Sequence, residues 1–259
     1  MKILVIGDGC QDRFQYGKCE RLSPEAPVPV FTPTELKING GMALNVAENI
    51  RALDMECDVI FNAAEIPTKT RLVDEVSNQI LLRVDKDDKV KQIEFDLLDN
   101  IDFSEYAAVV IVDYNKGYLG EEDINWITEL HPLVFMDTKK KINKWASGVE
   151  FIKINEKEYA NNVEYLLKHD GDLIVTLGKG GAVFKMTHQK EKFFPIEKEH
   201  PVRDLSGAGD TFLAALVVSY VKNNNIEEAI RFANKCASCV VTHKGVAAVD
   251  PTRIYTKEI

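Results

Sequence analysis

Asp204-Leu-Ser-Gly-Ala-Gly-Asp-Thr-Phe212 runs three small residues, Gly207, Ala208 and Gly209, straight into an apolar stretch expected to be helical over Ala208–Lys222. The first turn of a helix exposes N–H groups without carbonyl partners and carries partial positive charge, so such a start suits a phosphate. Glycines let the backbone approach it closely. Asp210 falls in that first turn, beside any anion held there. A carboxylate so placed can take the proton of a hydroxyl whose oxygen attacks the terminal phosphate of ATP. Taken alone, the segment also reads as a plain helix start, capped by Ser206, with Asp210 complementing the helix dipole.

Outward from this segment, buried-strand patterns alternate with helical ones. Continuous apolar runs at Lys2–Gly7, Ala107–Val112 and Leu173–Leu177 read as strands covered on both faces. Leu133–Met136 and Phe151–Ile154 are further strands, and Glu121–Leu130, Glu156–Lys168 and Ile226–Thr242 are helices. Asn39–Leu53 opens with Gly40-Gly41 and continues as an amphipathic helix. Thr70–Val73 and Gln79–Val84 flank Ser77-Asn78 as a hairpin, and Arg21–Thr32, with Pro24, Pro27 and Pro29, is an edge or flap. The alternation implies an α/β fold with a doubly wound, mostly parallel sheet and a small β lid. Such sheets bind ligands at the carboxyl ends of their strands.

Composition narrows the function. The chain has 259 residues, 45% apolar and 28% charged, with a net charge of −9. That acidity opposes sequence-independent binding to nucleic acid or anionic membrane. The longest apolar run, near Phe212–Val221, is too short to span a bilayer. No secretion-signal pattern is read at the start, and five cysteines in a chain of this size do not suggest a disulfide framework. A cytoplasmic setting is expected. Cys236 and Cys239 fall mid-helix and read as packing residues, and His131 and His243 receive no role.

Asp204–Phe212 resembles the second signature of the ribokinase-like (pfkB) carbohydrate kinases. The resemblance implies that Asp210 is the catalytic base and that the backbone of Gly207, Ala208 and Gly209 forms an anion hole. It implies Asp204 and the carbonyl of Gly245, in Thr242-His-Lys-Gly245, as ligands of a monovalent cation, with K⁺ the candidate. Gly40-Gly41-Met-Ala-Leu-Asn45 resembles the first signature, where Gly40, Gly41 and Asn45 contact the sugar. Gly7-Asp-Gly-Cys-Gln-Asp12 resembles the first strand end, where Asp12 binds sugar hydroxyls. Asn155-Glu-Lys-Glu158 resembles an Asn-x-x-Glu element that organises phosphate and Mg²⁺, Glu158 through water. Thr176-Leu-Gly178-Lys-Gly180-Gly181 resembles the strand end around the ATP phosphates, and Asn234 lies where adenine is expected. Read without the resemblance, each segment has an ordinary alternative: a plain turn for Gly40-Gly41, a hairpin turn for Gly178–Gly181, and loop or helix-surface groups for Asp12 and Asn45.

Within that family the chain resembles the D-glycero-D-manno-heptose-7-phosphate kinases. The flap Arg21–Val30, the lid segments Pro67–Val73 and Asn78–Asp85, the Asp113-Tyr-Asn-Lys116-Gly117 strand end and Asp137-Thr-Lys139 carry this likeness. It implies transfer of the ATP γ-phosphate to the anomeric hydroxyl of heptose 7-phosphate, a step toward lipopolysaccharide, with Asp113, Lys116 and Arg83 among the sugar-phosphate contacts. Arg21, Lys69, Arg71 and Lys139 add basic groups in the same segments. Arg83 is singled out because it sits in an otherwise apolar strand. The expected organisation is one kinase domain over 1–259, with lid and flap at about 13–37 and 67–86, pairing as a homodimer through the lid strands. Only Ala52–Ile66 separates the first-signature helix from the lid, so a strand–helix unit usual in the family is expected to be missing. Asn161–Gly171 is compressed, and a fused C-terminal nucleotidyltransferase is expected to be absent. A kinase for another sugar, sugar phosphate or nucleoside, and a catalytically impaired nucleotide- or sugar-binding protein, are the competing readings.

Overall fold

The computed structural model describes residues 1–87, 89–166, 169, 171–186, 190–197, 201–243 and 245–255. Its main sheet has eight strands in the order β12-β11-β10-β9-β8-β7-β1-β4. These are β1 (Lys2–Gly7), β4 (Glu56–Phe61), β7 (Ala108–Asp113), β8 (Val134–Thr138), β9 (Phe151–Asn155), β10 (Asp172–Thr176), β11 (Ala182–Lys185) and β12 (Lys192–Phe194). The strands from β4 to β10 run parallel, and β11 and β12 add an antiparallel edge.

Side chains alternate across a strand, so β1 feeds two cores. Ile3 and Val5 pack with α1 (Ala43–Ala52), α5 (Ala208–Asn223) and α6 (Ile226–Val240). Leu4 and Ile6 pack on the other side with α2 (Phe95–Asp99), α3 (Glu121–Leu130) and α4 (Glu156–Leu166). That two-faced burial explains the unbroken apolar runs of β1 and β7. From Asp210 to Ser219 every residue of α5 is buried, as expected of a helix apolar on all sides.

The second sheet, β3-β2-β5-β6, is the lid. It comprises β2 (Gly9–Lys18), β3 (Thr32–Met42), β5 (Thr68–Asp74) and β6 (Ile80–Lys86). One face of β2 carries Cys10, Asp12, Phe14 and Tyr16, and the last two pack with Val73 and Val246. The flap between β2 and β3 holds one bridge, Leu22 to Pro29.

Two expectations and one alternative reading are corrected. Gly40-Gly41 belongs to the end of β3, and α1 starts at Ala43; glycine there serves the strand, since a Cβ at 41 would strike the Asp12 carboxylate and lie 2.6 Å from Cys10 Sγ. The unit before the lid is only partly missing. β4 is in place beside β1, and no helix separates it from β5 among the described residues. Ser206 does not cap α5: the N-cap is Gly207, and no side chain caps the helix. Residues 167, 168 and 170 of the compressed stretch, the end of the helix expected over Glu156–Lys168, and residue 244 lie outside the described residues. No helix among the described residues is long and apolar enough to cross a membrane.

Candidate active site

The start of α5 brings the predicted centre together. Gly207 has φ 80°, a left-handed value that favours glycine, and a Cβ there would lie 2.7 Å from Asn45 Nδ2. Asn45 can therefore reach over the loop to donate to Asp210 Oδ2 at 2.9 Å. Asn49, one turn on, donates to the carbonyl and side-chain oxygens of Asn45 at 2.8 and 3.1 Å and fixes its amide. Thr211 N–H donates to the Gly207 carbonyl, leaving the Gly209 and Asp210 amides in the first turn, where a helix offers no partner of its own. Asp210 is 5% exposed. Burial raises its pKa above the ordinary aspartate value, against the hydrogen bonds from Asn45 and Tyr114.

Sequence reading missed Tyr114, whose hydroxyl donates to Asp210 Oδ1 at 2.8 Å. The loop that carries it is held by Asp8, whose carboxylate accepts the N–H groups of Tyr114, Lys116 and Tyr118. Asp113 is buried and committed to the scaffold. It accepts from Thr138 Oγ1 and Lys140 Nζ at 2.5 Å and from Asn115 N–H at 3.0 Å.

A second missed residue is Lys153, on β9. It is 4% exposed, and its Nζ lies 2.5 Å from Asp137 Oδ2 and 3.1 Å from where a Gly209 Cβ would stand. A buried cation thus abuts the glycine loop. Lys139 continues the network, at 3.2 Å from Asp137 Oδ1 and 2.5 Å from Glu158 Oε1. Burial opposes ionisation of Asp137, but Lys153 and Lys139 outweigh it and hold the carboxyl below its usual value. Asn155 and Glu158 exchange backbone-to-side-chain bonds at 2.9 Å, a reciprocal cap on α4.

Beyond the loop lies a cavity of about 250 Å³ whose walls include Thr176, Gly178, Gly181, Phe212, Asn234 and Val241. The Leu177–Gly181 turn joins β10 to β11 as a hairpin, so the turn and the cavity wall are one feature. Gly180 stands within that turn, and its N–H donates to the Leu177 carbonyl. Asn234 spends its amide on the Phe194 carbonyl at 2.9 Å. Asp204 accepts from the N–H groups of Ser206 and Gly245 at 2.8 and 3.0 Å, drawing the Gly245 turn onto the loop.

On the lid, Asp12 Oδ1 meets Arg71 Nη1 at 2.5 Å in a buried pair, and the guanidinium lies over the Phe14 ring. Arg71 is directly opposite Arg83, and Lys69 opposite Asp85, so these groups share one face. Arg83 is half-exposed and chelates Asp85 with two bonds of 2.7 Å. Arg71 is the buried member of the pair.

Residues 45–253 match the family model described as pfkB family carbohydrate kinase. The bifunctional protein HldE of a Nitratiruptor species is 33% identical over 297 aligned positions, covering 95% of this chain and 62% of that relative. HldE of Helicobacter acinonychis (strain Sheeba) is 33% identical, covering 95% of this chain and 64% of that protein. The chain thus spans less than two thirds of their length. The alignment of 297 positions is longer than the 259-residue chain, so gaps fall within it. Arabidopsis thaliana ribokinase, solved with ribose and ATP, superposes with a TM-score of 0.74 at 16% identity over 97% of this chain and 96% of that one. Phosphofructokinase-2 of Escherichia coli, solved with substrates and products, gives 0.72 at 17% identity over 98% of both. The two superpositions show the shared fold, and the family match shows descent: this chain belongs to the pfkB family of carbohydrate kinases, ATP-dependent phosphotransferases of ribokinase-like fold.

Proposed function

We propose that this chain transfers the γ-phosphate of ATP to the anomeric hydroxyl of D-glycero-D-manno-heptose 7-phosphate, with Asp210 as the base. The observation that carries the reading is the Asp210 carboxylate, buried at the start of α5 and gripped by Asn45 and Tyr114 beside open first-turn amides. The sugar hydroxyl gives its proton to Asp210 and attacks the γ-phosphorus, whose bond to the bridging oxygen breaks as ADP leaves. At the Gly207–Gly209 loop the open Gly209 amide, with that of Asp210 and the Lys153 ammonium, would stabilise the charge carried by the transferring group, while the Ala208 N–H is spent on the Leu205 carbonyl. Adenine would occupy the cavity beside Asn234, with Thr176 and Gly178 on its wall and Gly180 in the same turn toward the phosphates. Asp12, Gly40, Gly41 and Asn45 hold the sugar.

The chemistry of the donors suits the expected ions. Among the described residues, no three His, Cys, Asp or Glu side chains converge on one point, so Mg²⁺ would arrive on the nucleotide and meet Glu158 through water. Hard cations take oxygen ligands, which the Asp204 carboxylate and the Gly245 carbonyl supply for K⁺. Bound there, these ions would supply positive charge against the phosphates.

The phosphorylated substrate is favoured by Lys69, Arg71 and Arg83 on one face of the lid, because guanidinium forks suit phosphate. The flap, lid and Asp113–Gly117 segments support the heptose branch, and Lys116 belongs to that loop. The outer lid face carries Leu36, Ile38, Leu82 and Val84, all about half-exposed; burying that face against a second copy supports a homodimer, in a cytoplasmic setting. A solution mass equal to one chain would reject the dimer. The function is tested by ATP consumption with heptose 7-phosphate, fructose phosphates, ribose and adenosine, using Asp210→Asn as control. Turnover with heptose 7-phosphate alone supports the assignment. Turnover with another sugar keeps the mechanism and discards the heptose. Nucleotide binding with no turnover would leave a binding protein.

A further inference from the structure

Asp210 has one donor on each oxygen, Asn45 Nδ2 on Oδ2 and the Tyr114 hydroxyl on Oδ1. Rotation of the carboxylate would break both bonds together, so its plane is set before a sugar arrives. Tyr114 is itself held from several sides. Its N–H donates to Asp8 at 2.7 Å. The next residue, Asn115, takes a left-handed φ of 58° and donates its N–H to Asp113. The Tyr114 ring lies 5.4 Å from Lys69 Nζ, on lid strand β5, and 5.1 Å from Lys139 Nζ, on the phosphate side. One phenol therefore touches the lid, the base and the cation network at once.

We propose that Tyr114 is a positioning residue for the base: with Asn45 it locks the Asp210 carboxylate in the orientation that receives the sugar proton, and through Lys69 it ties that orientation to the lid. The proposal rests on the reading of Asp210 as the base. Tyr114 acts as a fixed donor. Burial, and then the neighbouring Asp210, push its phenol well above the ordinary range, so it keeps its proton throughout the step. Asp210 is faced by Tyr114 after β7, by Asp137 on β8, by Lys153 on β9 and by Cys10 on β2. Burial pushes the Cys10 thiol up to about 12, so it remains neutral. Around Asp210, burial and Asp137 favour the neutral acid, while Asn45, Tyr114 and Lys153 favour the carboxylate. Removing the phenol donor moves the balance toward the acid.

The test follows the Asp210 carboxyl by ¹³C NMR across pH in the full chain, with Asp210→Asn identifying its resonance. Tyr114→Phe should raise the midpoint by about one unit, the scale of one hydrogen bond to a charged group. 3-Fluorotyrosine at position 114 keeps the shape and donates more strongly, so it should lower the midpoint, and it serves if the phenylalanine variant folds poorly. An unmoved midpoint with both substitutions overturns the proposal, and no turnover is needed to read it. With an active sugar substrate, Tyr114→Phe should reduce kcat about tenfold, leave the KM for ATP unchanged and move the acid limb of kcat upward. A reduced kcat with the acid limb in place would make Tyr114 a structural support and overturn the proposal. A shifted midpoint in a chain that turns over no sugar would support the Tyr114–Asp210 link while sinking the kinase reading.

Discussion

Lys153→Met exchanges a buried ammonium for an uncharged side chain of similar length. The Lys153 and Asp137 side chains are 5% and 2% exposed and lie 2.5 Å apart. Two unit charges at that distance attract by about 6–7 kcal/mol at an effective dielectric of about 20. Desolvation costs several kcal/mol for each ion, so the intact pair contributes little net stability. Breaking it is different, because a buried charge left alone costs about 3–5 kcal/mol. Lys139 remains 3.2 Å from the other Asp137 oxygen, so the expected loss at pH 7 is smaller, about 2–3 kcal/mol. Burial resists ionisation of Asp137, but Lys153 and Lys139 hold its folded pKa below the unfolded value. An acid depressed in this way stabilises the fold above its unfolded pKa and loses that contribution as pH falls through the folded one. The gap between variant and wild type should be full at pH 7 and narrow below about pH 4. Urea unfolding at both pH values measures it. Lys153→Met combined with Asp137→Asn should recover most of the stability without recovering turnover, because the ammonium beside Gly209 is still missing. A loss below about 0.5 kcal/mol, or no recovery in the double variant, would refute the reasoning.

Asp210→Asn should lower turnover by at least about 10²–10⁴-fold. It should not lower Tm at pH 7: burial raises the folded pKa of this acid, so the ionised form burdens the fold above that pKa, and the burden fades as pH falls. A lower Tm for the variant would contradict this sign. Gly207→Ala forces an L-residue to φ 80° and a Cβ to within 2.7 Å of Asn45 Nδ2, costing about 1–2 kcal/mol in backbone strain alone. Its turnover should fall as Asn45 is displaced, and wild-type Tm and rate together would reject the geometry. Arg71→Met leaves Asp12 buried without its partner and should cost about 3–5 kcal/mol in chemical denaturation. Arg83→Ala breaks a half-exposed chelate, so it should cost under about 1 kcal/mol while raising the KM for a phosphorylated sugar; an unchanged KM would remove Arg83 from the site.

The parts of the fold legible in the sequence are those whose burial leaves a regular pattern. β1 occupies the predicted Lys2–Gly7 and α3 the predicted Glu121–Leu130, because a strand covered on both faces and an amphipathic helix leave unambiguous patterns. Half of the lid was legible too, since the hairpin expected at Thr70–Val73 and Gln79–Val84 is β5 and β6; β2 and β3 left no such trace. β2 reads Gly-Cys-Gln-Asp-Arg-Phe-Gln-Tyr-Gly-Lys, with Asp12 where a core strand would place an apolar residue. That face looks onto the site, so the alternation rule meets a ligand surface and fails. β3 carries a proline and a Gly-Gly pair and is exposed over most of its length, which strips it of nearly every strand signal except pairing with β2.

The candidate site divides along the same line. Asp210, Asn45 and the glycine loop were legible because their motif fixes backbone and side chain together. Tyr114 and Lys153 were not, since their roles arise from neighbours distant in sequence. Yet Lys153 had a signal: a lone charge in Phe-Ile-Lys-Ile-Asn. The same rule singles out Arg83 in Ile-Leu-Leu-Arg-Val-Asp, and the structure separates the two cases. β6 is exposed at every position, so its leucines do not imply a buried guanidinium, and Arg83 found a half-exposed carboxylate two residues away. β9 lies between β8 and β10, where a charge survives only opposite another, and Asp137 on β8 is in register with Lys153. A lone charge in an apolar strand is informative only once that strand is known to be interior. Here the interior lysine is the one that reaches the loop where phosphate would lie.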